Sequence, residues 1–146
     1  MKRLTIFKAI ISIAIALTLM MAAHGTNAAA ANLIDEHFSV KEYNLFHDVL
    51  HPLQHEALPN KDFKTIRARA AELTTRGRAI VRLGVPAGVA DKAEFQKQLK
   101  QFDKALLRFK SDARKKSDAR LEESYTAVHD SFEMLASMLP IKKREG

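Results

Sequence analysis

Apolar positions recur along residues 39–139 at intervals of three and four, in four separate stretches. The first carries Tyr43, Phe46, Val49, Leu50 and Leu53, and the second Phe63, Ile66, Ala70, Leu73, Gly77, Ile80 and Val81. The third reads Phe95, Leu99, Phe102, Leu106 and Phe109; the fourth reads Leu121, Tyr125, Val128, Phe132, Leu135 and Leu139. This spacing puts each set on one face of an α-helix. Four such helices of roughly 18 to 24 residues with short connections predict an all-α, antiparallel four-helix bundle.

The punctuation between the stripes agrees with that reading. Ser39 and Glu42 are spaced as a capping box at the start of the first helix. Pro52 sits inside that helix and predicts a kink, or a short second segment as far as Leu58. Asn60 is placed to cap a second helix from about Lys61 to Leu83, which Gly84 and Pro86 stop. Ala70 and Gly77 keep its buried face small, so a neighbour can approach closely there. Asp91 and Glu94 open the third helix, and Ser117 or Asp118 the fourth, which Pro140 closes.

Residues 1–30 follow a different pattern. Lys2, Arg3 and Lys8 precede an apolar run from Ala9 to Ala23, and small residues follow at Ala28, Ala29 and Ala30. This is the layout of a secretory signal peptide, and the run is short of the about 20 residues that a membrane span needs. The sequence therefore predicts a signal peptide over 1–30, a bundle domain over 31–146, cleavage between Ala29 and Ala31, and a periplasmic or secreted location. No stable membrane insertion is expected after cleavage.

Composition narrows the chemistry. The chain of 146 residues is 47% hydrophobic and contains no cysteine or tryptophan. One domain can bury a core at this size, and thiolate metal sites, cysteine catalysis and covalent haem attachment are excluded. The net charge of +7 falls to +4 without residues 1–30, which leaves 21 basic and 17 acidic residues. The basic run from Arg108 to Arg120 reads as a solvated face, because an exported chain meets no nucleic acid.

The histidines are the one chemical anomaly. His47, His51 and His55 stand at i, i+4 and i+8 on the first helix, and a pair at i, i+4 can chelate one transition ion. All three cannot share an ion on a straight helix, since eight residues rise about 12 Å. With Phe46 at zero, His47 falls near about 100°, at the edge of the core, His51 near about 140°, and His55 near about 180°, facing away. His51 and His55 then suit a surface site or the seam of a homodimer. On the fourth helix His129 also borders the core, and it reaches His47 if helices one and four are neighbours. A core-edge histidine simply bonded to Asp48, Glu56 or Asp130 is the plainer alternative for His129. Met134 and Met138 are spaced for a soft copper(I) pair, although plain packing is the preferred reading of both.

The segment Tyr125-Thr126-Ala127-Val128-His129-Asp130-Ser131-Phe132 resembles the last-helix motif of the cytochrome c′ family, Cys-x-x-Cys-His-x-x-aromatic. His129 matches the haem-ligating histidine of that family, and Phe132 the aromatic. Tyr125 and Val128 stand at both cysteine positions, so the family's covalent haem cannot form. The resemblance implies a haem-less, periplasmic relative of cytochrome c′ in which histidines bind a metal ion.

Enzyme motifs are missing: Gly84-Val85-Pro86-Ala87-Gly88 lacks the lysine and hydroxyl of a phosphate loop, and Pro52 stands where an HExxH helix needs glutamate. The sequence thus predicts a non-enzymatic bundle that binds copper, zinc or nickel through some of His47, His51, His55 and His129. The alternatives are non-covalent haem between His47 and His129, and an envelope interaction or chaperone-like bundle without metal.

Overall fold

A computed structural model describes residues 38–141, which form four α-helices. The predicted signal peptide lies outside the described residues. Helix α1 (Lys41–Pro52) runs into a π-helical turn (Leu53–Ala57), followed by α2 (Phe63–Leu83), α3 (Lys92–Asp112) and α4 (Asp118–Ser137). Consecutive helices pack against each other, and rings of α1 and α4 close the circuit, so the architecture is an antiparallel four-helix bundle. Among the described residues no helix is long and apolar enough to cross a membrane.

The four stripes build one core. Every residue named for α3 is buried, as are Tyr43, Phe46, Val49, Leu50 and Leu53 of the first stripe. Phe132 of α4 is its hub, with ring centroids 4.7 Å from Phe46 and 5.8 Å from Tyr43. Burying each such ring contributes about 1.5–3 kcal/mol. Gly77 marks a close helix approach: a Cβ there would stand 2.6 Å from both methyls of Leu106 on α3 and 3.1 Å from the Phe46 ring. The small residue is what lets α2 sit down on its neighbours.

Several helix ends differ from the sequence reading. The capping box does not form: Val40 is the residue before α1, with no side-chain cap, and the Ser39 hydroxyl donates to the Pro140 carbonyl at 3.0 Å. Asn44 fixes the entry to α1 instead, accepting from Phe38 N at 2.7 Å and donating to Phe38 O at 3.0 Å. Asp62, not Asn60, caps α2 by accepting from Thr65 N at 3.0 Å, while Asn60 donates back to the Glu56 carbonyl at 2.8 Å. Lys61, at φ 54°, makes the reversal between them. A carboxylate outcompetes a neutral amide for backbone donors.

Other ends follow expectation. Gly84 terminates α2 at φ 76°, Asp91 caps Glu94 N at 2.9 Å, and Ser117 caps Arg120 N at 3.3 Å. Helix α4 stops at Ser137, so Leu139 packs half-buried beyond the helix rather than within it.

The short second segment expected after Pro52 forms as a π-helical turn over Leu53–Ala57, with Leu58 at its end. Pro52 removes the N–H that the Asp48 carbonyl would take in an α-helix. The chain answers with i→i+5 bonding: Leu58 N donates to Leu53 O at 2.9 Å, and Asp62 N to Ala57 O at 2.8 Å. Single π turns of this kind accommodate an interrupted ladder and recur at functional sites.

Candidate functional site

The π turn, the second half of α1 and the middle of α4 border one open cleft of about 250 Å³. It is lined by His47, Leu50, His51, Gln54, His55, His129 and Glu133. All four histidines singled out in the sequence thus meet in one place. His129 and His47 lie on adjacent helices, as the bundle requires. His55 departs from its expected position: it is exposed but lines the same cleft, because fewer degrees of rotation per residue in the π turn keep it from swinging away.

The four imidazoles have distinct surroundings. His47 is half-buried, its ring 5.5 Å from Phe38 and 6.3 Å from Phe132. His51 is exposed, with its ring centroid 5.3 Å from His47 and 4.4 Å from His55. His129 Nδ1 lies 3.2 Å from the Asp130 carboxylate, the carboxylate contact weighed in the sequence. That contact does not exclude a ligand role, since metal-bound histidines commonly hold a carboxylate on the second ring nitrogen.

The donor set is nitrogen and carboxylate oxygen, which suits zinc, copper(II) or nickel. Two imidazoles share one ion when their nitrogens come within roughly twice the metal–nitrogen bond, about 4 Å. The ring centroids of the i, i+4 pairs in this cleft stand 5.3 Å apart for His47–His51 and 4.4 Å apart for His51–His55. Among the described residues no three histidine or acidic side chains are gathered closely enough to hold an ion together, so the arrangement offers pairs. The interior behind the cleft is filled: Tyr43, Phe46, Tyr125 and Phe132 are fully buried there.

Glu133 and Gln54 were missed in the sequence. Glu133 follows His129 at i+4, the same spacing that drew attention to helix α1, so the signal was present. Gln54 carried none; its Oε1 is buried and has no hydrogen-bond partner among the described residues. Of the two methionines, Met138 packs against the core and Met134 is 49% exposed.

The basic run from Arg108 to Arg120 is partly neutralised at the corner between α3 and α4. Arg108 meets Glu123 at 2.8 Å, Lys115 meets Asp112 at 3.0 Å, and Arg67 reaches across from α2 to Asp118 at 2.7 Å. The Asp112 carboxyl, buried at this corner, is held below the usual carboxylate range chiefly by its hydrogen bond from Lys115.

No known protein family, curated protein or solved structure matches this chain. The described residues form an all-α four-helix domain.

Proposed function

We propose that this chain is an exported, periplasmic helical-bundle protein that binds a divalent transition ion, copper, zinc or nickel, in the cleft between α1 and α4. Its role is storage, buffering or sensing of the ion rather than catalysis. An i, i+4 pair drawn from His47, His51 and His55 supplies the first two ligands, water fills the remaining positions, and His129 or Glu133 joins only if its side chain moves towards the ion. The observation that carries this reading is the convergence of four histidines on one cleft. On this account the chain is a haem-less relative of cytochrome c′, with Tyr125 and Val128 at the cysteine positions.

Non-covalent haem between His47 and His129 is the weaker reading. Cofactor pockets usually occupy about 300–1,000 Å³, whereas this cleft is open, holds about 250 Å³ and is backed by a filled aromatic interior. Metal analysis and a visible spectrum of the purified protein test the proposal together. The expected result is zinc, copper or nickel bound in near-stoichiometric amount after incubation with the salt, and no Soret band. A Soret band would favour haem, and a protein that retains neither ion nor haem would leave an interaction bundle.

A further inference from the structure

The two i, i+4 pairs that share His51 are not equivalent. His47 and His51 both lie on α1, with ring centroids 5.3 Å apart. His51 and His55 straddle Pro52, and their centroids are 4.4 Å apart. In an α-helix each residue turns the chain about 100°, so a residue and the fourth after it are offset by about 40°. A π turn spreads its rotation over more residues, because it is bonded i→i+5. The offset between His51 and His55 therefore shrinks, and one ring comes over the other.

The cause lies one residue after His51. Pro52 cannot donate to the Asp48 carbonyl, and the π turn begins at the very next residue, with Leu58 N donating to Leu53 O at 2.9 Å. His47 differs in a second respect. Its half-buried ring packs between Phe38 and Phe132, and swinging it towards an ion gives up those contacts. His51 and His55 are both exposed at the cleft.

We infer that Pro52 is a positioning residue: the π turn it starts makes His51 and His55, rather than His47 and His51, the pair that takes the ion. The inference rests on the metal-binding reading above and names its ligands. Its test is calorimetric titration of zinc into the parent chain, His47→Ala and His55→Ala, and into the same two variants combined with Pro52→Ala. Far-ultraviolet spectra and melting curves establish that each variant is folded.

In the parent background, His55→Ala weakens zinc binding by about tenfold or more, at least the effect of losing an outer-sphere partner. His47→Ala changes it much less. With Pro52→Ala an α-helical register returns, and the gap between the two variants closes. A proline that matters only for stability would shift the melting midpoint and leave the order of the two histidines unchanged. That result overturns the inference, as does a larger loss for His47→Ala than for His55→Ala in the parent. Should Pro52→Ala fail to fold, the two single variants still decide between the pairs. A parent chain that binds no zinc overturns the metal-binding reading and this inference with it.

Discussion

The phenol of Tyr125 donates to the backbone carbonyl of Leu50 at 3.2 Å, tying the last helix to the first two residues before Pro52. Tyr125 is fully buried, and burial pushes its phenol well above the ordinary range, so it stays a neutral donor. Tyr125 thus braces, from within, the wall of the cleft that Leu50 lines.

Two buried tyrosines separate the value of that bond from the value of burial. Tyr43 is equally buried, but its hydroxyl has no partner among the described residues. Tyr125→Phe is expected to cost about 0.5–1.5 kcal/mol, the net worth of an ordinary hydrogen bond. Tyr43→Phe is expected to be neutral or stabilising, because it removes a polar group that burial penalises. Urea unfolding of both variants checks this, and an equal loss in the two would contradict the assignment.

Gly77 tests the closeness of the helix contact. A Cβ at this position meets Leu106 and Phe46, and valine adds two further methyl groups to that contact. Gly77→Val is expected to lose about 1–3 kcal/mol through overpacking. Gly77→Ala should lose less, since better helix propensity returns about 1 kcal/mol. The comparison is read from thermal midpoints, and a valine variant as stable as the parent would show the helices to be further apart.

Asp112 should contribute to acid sensitivity. This carboxyl is 4% exposed and accepts from Lys115 at 3.0 Å, which depresses its folded pKa below the unfolded value of about 3.9. A depressed pKa means that the stabilisation is present above the unfolded value and is lost as pH falls through the folded one. Asp112→Asn should therefore be less stable than the parent at neutral pH and lose less further stability on acidification. Denaturant midpoints collected between about pH 2 and pH 6 test the slope; parallel curves would remove Asp112 as a source of acid sensitivity.

Much of this fold was legible because helical periodicity is a local signal. The stripes of α2, α3 and α4 are buried almost residue for residue, and the glycine stop at Gly84 is where it was expected. The misreadings fall where a side chain had two uses. Ser39 had the right spacing for a capping box, but the Pro140 carbonyl, near the other end of the described chain, claims its hydroxyl. No local pattern contains a partner 101 residues away. At the candidate site the histidine register was plain, yet a constant 100° step sent His55 to the far side of the helix. The π turn that brings it back depends on how the chain repairs the bond lost at Pro52, and neighbouring packing decides that. Glu133 was within reach of the spacing rule, since its distance from His129 repeats that from His47 to His51.

The metal-binding account meets its most direct test in one titration series. Zinc and copper(II) are titrated calorimetrically into the parent chain, His51→Ala and His37→Ala. His51 belongs to both i, i+4 pairs of the cleft, whereas His37 lies outside the described residues and belongs to neither. The account predicts one site per parent chain, tighter than micromolar, with copper preferred over zinc as the order of divalent affinities requires. His51→Ala should weaken it by about tenfold or more, His37→Ala should leave it unchanged, and acidification should weaken the parent because protons compete for the imidazole nitrogens. Equal affinities in His51→Ala and His37→Ala, or no parent site tighter than micromolar, would contradict the account.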